Sequence, residues 1–371
     1  MKSNSFHIII CIVLLIFGTE ISKAQSNLKE GNNNFARYTK SGEIKDLFEA
    51  RKFADLAYKE KRDSAAYSNT LLRALVYSSL AVADSNRTQS YPKDPIDEAE
   101  FMLSRLNDEQ LNYENEAQLN YLKKRLASAY LIRAHRALTN NDYENAYKLF
   151  FKVNQYNDGA NVQHNLALLS ERLGKDEEAI NLYNDFIQNK SSARPSYVLT
   201  LNKLYLKKGD NNAAQNTLLK GREYFPTNKD IMFALLNLYA ANGAYDAIVS
   251  LADQALALEP ESVNLNYLLG FAYEVTGNRE KAESYYKKTL TLDPDDYNSN
   301  YELGLLYLKD FVKDTSDLEK QYVAQQYLLK ANEIDPNAVN ALKSLAVLFD
   351  KSGNSVQLER VNNQLNQINI N

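Results

Sequence analysis

Between Val263 and Asp296 the apolar positions fall into two runs at helical spacing. Leu268, Leu269, Phe271, Ala272 and Tyr273 make the first, and Ala282, Tyr285, Tyr286, Thr289, Leu290 and Leu292 the second. Residues three and four apart share one face of a helix, so the segment predicts two amphipathic helices. Gly277 stands where a left-handed residue closes the first. Asp293-Pro294 closes the second, because proline has no N–H and forces its predecessor out of helical space. This punctuation recurs: Pro226, Pro260 and Pro294 fall 34 residues apart, as do Gly209, Gly243 and Gly277, with Gly174 one residue off the interval. A period of that length marks a repeated helix–turn–helix unit. Gly270 and Ala282 are small where the two helices must approach, and Tyr273 and Tyr286 fill the space beside them.

Gly270, Tyr273, Ala282, Tyr286, Thr289 and Pro294 together form a pattern that resembles the tetratricopeptide repeat. The same offsets pick out Leu236, Tyr239, Ile248, Ala252, Ala255 and Pro260, and before them Asn202, Tyr205, Ala214, Leu218, Gly221 and Pro226. Earlier copies read Ala167, Ser170, Ala179, Tyr183, Phe186 and Ala134, Ala137, Ala146, Phe150, Val153. Later ones read Gly304, Tyr307, Ala324, Leu328, Ala331, Pro336 and Ala346, Phe349, Leu358, Asn362, Leu365. The resemblance covers residues 127–371 and implies an all-α, right-handed α-solenoid, an architecture that leaves function open. Pro294 to Pro336 spans 42 residues, eight more than the other units. Phase holds before Tyr307 and after Ala324, which places the excess at Lys309 to Glu319, as an exposed loop carrying Phe311 and Val312.

The N-terminal half reads differently. Lys2, the apolar run Ile8 to Phe17 and Ser22-Lys23-Ala24 compose a secretory signal peptide over residues 1–24, cleaved after Ala24. Ten apolar residues at about 1.5 Å each are too few for a membrane core of about 30 Å. Cys11 follows Ile10 rather than a small residue and does not look like a lipid attachment site. Residues 25–42, with Asn32-Asn33-Asn34, carry no apolar period and are expected to form a flexible lead-in. Residues 43–126 predict helices from Ile44 to Ala57, from Ala65 to Ala83 and from Ile96 to Leu106. They read as a degenerate repeat continuous with the array in one superhelical domain. An Asn-rich C-terminal helix fits the polar cap that a solenoid needs.

Cleavage would remove Lys2, Lys23, Glu20 and the single cysteine, leaving 41 basic against 46 acidic side chains. This mild acidity argues against nucleic acid as a partner, and the one basic knot, Lys123-Lys124-Arg125 with Arg133 and Arg136, reads as a solvated helix face. No nucleophile elbow, phosphate loop or metal-ligand spacing occurs. His135 and His164, with Glu171 as a third candidate, fall short of the three close ligands that catalytic zinc uses. The chain is accordingly read as a non-enzyme without cofactor.

In repeats of this kind the first helix of each pair lines the groove, at i, i+3 and i+7. Those offsets give Asp230, Phe233, Asn237; Asn264, Tyr267, Phe271; and Asn298, Tyr301, Leu305. Asn228, Ser262 and Asp296 precede the helices as N-caps, which leaves the amides of Asn264 and Asn298 free. Phe233, Asn237, Asn264, Tyr267, Phe271, Asn298 and Tyr301 are the candidate contact residues, with the four rings expected in one continuous strip. A carboxylate clamp of Lys and Asn, known in the family, is not supported by Leu168, Lys203, Asn237 and Phe271 along one line. Amides and rings suit an extended peptide. The expected function is therefore an exported scaffold or adaptor binding a protein or peptide in a cell-envelope complex, periplasmic or outer-membrane associated in a Gram-negative bacterium. A glycan-binding module of an envelope uptake system is the alternative, and an unrecognised enzyme is a third reading that ranks below it.

Overall fold

The computed structural model describes residues 26–59 and 66–370, and the expected signal peptide over residues 1–24 lies outside them. Among the described residues the structure is all α-helix connected by turns. The helices group into two compact units, with a boundary at Asp185/Phe186, where one continuous domain was expected. The boundary falls inside the helix Asp176–Ile187, and the connection after this helix differs from later ones. That connection runs through residues 188–194 without a terminating proline, whereas residues 259–262 and 293–296 join later pairs.

The first unit opens with α1, residues 26–41, so the expected flexible lead-in is a helix. Leu28, Gly31, Phe35 and Tyr38 recur at helical spacing, and Asn34 and Tyr38 are buried beside them. The run of asparagines hides that period in the sequence. Gly31 allows a close approach, since a Cβ there would meet Leu72 Cδ2 at 2.7 Å. α2 (Ile44–Lys59), α3 (Tyr67–Ala83), α4 (Pro95–Ser104) and α5 (Glu109–Glu114) follow, then α6 (Glu116–Thr139), α7 (Tyr143–Tyr156), α8 (Ala160–Arg172) and α9 (Asp176–Ile187). The basic knot is not simply solvated. Lys123 and Lys124 face water, but Arg125 donates to Tyr38 Oη at 3.3 Å, Arg136 donates to Asn86 Oδ1 at 2.7 Å, and Arg133 pairs with Asp94. These arginines tie α6 to α1 and to the α3–α4 loop.

The second unit stacks five helical pairs. Their first helices are α10 (Pro195–Lys208), α12 (Lys229–Ala241), α14 (Val263–Val275), α16 (Tyr297–Lys313) and α18 (Val339–Lys351). The second helices are α11 (Asn211–Tyr224), α13 (Tyr245–Leu258), α15 (Arg279–Leu292), α17 (Leu318–Ile334) and α19 (Ser355–Ile370). Gly277 adopts φ 83°, and the following Asn278 N–H returns to the Tyr273 carbonyl at 2.8 Å, closing α14 as the sequence predicts. Asn141 takes the same left-handed role with φ 57° between α6 and α7, one of the few residue types besides glycine that does so readily. The three expected N-caps are formed: Asn228, Ser262 and Asp296 accept from the amides of Ile231, Leu265 and Ser299.

Repeat positions predicted to be core are buried across the central copies: Ala282, Tyr286 and Thr289 are fully excluded from water, as are Ala324, Leu328 and Ala331. In α19 the pattern slips by one residue, with Val361 buried and Asn362 exposed. A further pair of asparagines clamps the connections. Asn266 donates its amide to the Pro260 and Ser262 carbonyls, and Asn300, 34 residues on, repeats this to Pro294 and Asp296.

The eight extra residues do not form the expected loop. α16 and α17 each have 17 residues, against 13 in α14 and 14 in α15, so seven of the eight lengthen helices. The remaining one widens the turn to Asp314–Asp317. Phe311, expected on an exposed loop, is fully buried, because the added turn of α16 continues the apolar face of Leu303, Tyr307 and Leu308. Val312 is exposed.

Candidate functional site

The candidate residues sit on three consecutive first helices of the second unit: Phe233 and Asn237 on α12, Asn264, Tyr267 and Phe271 on α14, Asn298 and Tyr301 on α16. Offsets of three and seven put them on one side of each helix, away from the face that packs against its partner. Asn237, Asn264 and Asn298 are exposed, and their amides make no hydrogen bond among the described residues. Their neighbours in sequence explain this: Asn228, Ser262 and Asp296 already serve the helix N-termini.

Phe233, Tyr267, Phe271 and Tyr301 are half-buried. The structure brings Tyr267 and Phe271 together, with centroids 6.4 Å apart, and adds Tyr286 at 6.0 Å from Tyr267 and Tyr245 at 5.4 Å from Phe271. Tyr301 instead stacks on Tyr297 at 5.9 Å with nearly parallel planes. The rings therefore form a cluster on α13–α15 and a separate pair on α16, and Phe233 joins neither. The expected continuous strip is broken because Tyr301 turns along its own helix toward Tyr297.

Sequence reasoning missed the charges set among these rings. Glu274 of α14 accepts from Tyr286 Oη at 3.0 Å and from Lys309 Nζ of α16 at 2.9 Å. Glu302 of α16 lies close enough to feel both groups. Burial, reinforced by Glu274 and partly offset by Lys309, pushes its carboxyl up to about 7. Burial, then Glu302, Asp296 and Glu274, raise the Tyr267 phenol to about 12. No sequence offset marks Glu302, since its desolvation comes from side chains on neighbouring helices. Tyr245 and Tyr297 are the first residues of α13 and α16.

His135 packs edge-on against Phe150 at 6.0 Å. Among the described residues no group of three His, Cys, Asp or Glu side chains could hold a metal ion, and no helix is long and apolar enough to cross a membrane.

Stacked helical pairs with left-handed closures, proline-terminated second helices and small-against-large contacts at 34-residue spacing coincide with a family match: residues 239–306 fit the tetratricopeptide repeat. That segment matches the tetratricopeptide repeat model. Parts of the chain align with solved structures at low identity. The C-terminal part of a repeat-containing protein from Cytophaga hutchinsonii is 17% identical, covering 64% of this chain and 94% of that one, with a TM-score of 0.48. MamA from Desulfovibrio magneticus RS-1 is 18% identical, covering 48% and 97%, at 0.39. YrrB, described as a tetratricopeptide protein with an unusual peptide-binding site, is 18% identical, covering 47% and 89%, at 0.37. No curated protein matches.

Proposed function

We propose that this chain is an exported scaffold whose second unit binds a protein or peptide partner of a cell-envelope complex through α12, α14 and α16. One observation carries the reading: Asn237, Asn264 and Asn298 hold unpaired amides beside half-exposed rings on successive first helices. Each amide offers both donor and acceptor to a peptide group, and the rings supply apolar contact without large entropic cost. Export rests on the leader at residues 1–24, and purified native protein should begin at Gln25 by intact mass. Retention of the leader or an added lipid would remove that part of the proposal. The binding part is tested by screening the mature chain against arrays of peptides and of oligosaccharides. Saturable peptide binding supports it, and binding of oligosaccharides alone would replace it with the glycan-binding alternative.

A further inference from the structure

One cleft of the first unit lies outside the residues 127–371 assigned to the repeats. It encloses about 790 Å³ between α1, α3, α5 and the start of α6. Its floor is aliphatic: Leu71 and Leu75 of α3 and Leu111 of α5, with Phe35 of α1 as one wall. Ser68 and Gln118 stand at the rim, both exposed and both without a hydrogen bond among the described residues. The volume is in the range of sites that enclose ligands or side-chain anchors, about 300–1,000 Å³.

We propose that this cleft receives an uncharged peptide segment of a partner protein, anchored by leucine-type side chains. Every residue lining the cleft is neutral. A charged anchor would lose hydration there and find no counter-charge, so the lining selects against ionised side chains. The two aromatic side chains of the lining are held by neighbours. Phe35 is held between Tyr38 at 6.1 Å and Tyr121 at 6.2 Å, and the Tyr67 hydroxyl is committed to Asn112 Oδ1 at 2.8 Å. An acyl chain would match the leucine floor but leave the rim groups unused, whereas peptide N–H and C=O groups pair with Gln118 and Ser68. The walls are preformed. Gly31 allows α1 to seat directly on Leu72, and Arg125 ties α6 to α1 through Tyr38.

The test uses the mature chain and three fluorescent probes read by anisotropy. These are a capped neutral peptide with leucines at i and i+4 among Ser and Gln, the same peptide with both leucines replaced by Lys, and a neutral dodecanoyl sugar ester. Ala36→Trp fills the cleft from the exposed side of α1, and Ser68→Trp fills it from the α3 side should the first variant lose its helical circular dichroism. The leucine peptide should bind saturably, at least about tenfold more tightly than the lysine peptide, and lose about tenfold in affinity in the filled variant. A chain carrying Asn237→Ala, Asn264→Ala and Asn298→Ala should bind it as before, which separates this site from the groove of the second unit. Absence of saturable binding, equal binding by the filled variant, or tighter binding of the ester would overturn the proposal.

Discussion

A Cβ on Gly270 would sit 2.6 Å from Cδ1 of the fully buried Tyr286 ring. The glycine of α14 and the tyrosine of α15 thus form one packed contact, and Gly304 repeats it against Leu328 in the next pair. Gly270→Ala gains about 1 kcal/mol of helix propensity, but the ring has nowhere to withdraw. A net loss of about 1–3 kcal/mol is expected from the overpacking, measurable by urea denaturation. A stabilised variant would show that α14 and α15 can separate without penalty.

The lengthened pair makes a second prediction. Phe311 is fully buried in the extra turn of α16. Phe311→Ala should cost about 3–5 kcal/mol, and replacing residues 309–319 by a two-residue turn should abolish cooperative unfolding. A deletion that retains a sharp thermal transition would return this segment to the status of a surface loop.

Glu302 predicts a pH dependence. Its carboxyl titrates near 7 in the folded chain instead of the usual 4.5, so folding favours the protonated form. The contribution is fully present below pH about 4.5 and is lost as pH rises through about 7. Glu302→Gln should therefore raise the thermal midpoint at pH 8 and change it little at pH 4. An equal shift at both pH values would mean that the substitution acts through packing and not through the charge.

Much of the array was legible because its signals are local and periodic. Gly277, Pro294, Ser262 and Gly270 each act within a few residues, and their 34-residue recurrence multiplies a weak propensity into a clear pattern. Three failures have separate physical causes. α1 was missed because its buried face includes Gly31 and Asn34, which earn burial from the surface of α3 and not from their own hydrophobicity. The Lys309–Glu319 excess was read as a loop because turn and helix extension change the repeat length alike. The continuous aromatic strip failed because ring direction is a rotamer property: Tyr297, adjacent on the same helix face, captures Tyr301. The seven candidate residues were locatable from repeat phase, while the charge pattern around them, Glu274, Glu302 and Lys309, depends on contacts between pairs.

The central claim is that the unpaired amides of the second unit hold the partner. The most direct measurement compares capture from envelope extracts by the mature chain and by the triple variant Asn237→Ala, Asn264→Ala, Asn298→Ala. Alanine is the better helix former, so the variant should unfold no earlier than the parent. The account predicts loss of the captured protein with the thermal midpoint unchanged or slightly raised. Capture of the same protein in the same yield by the folded variant would contradict it.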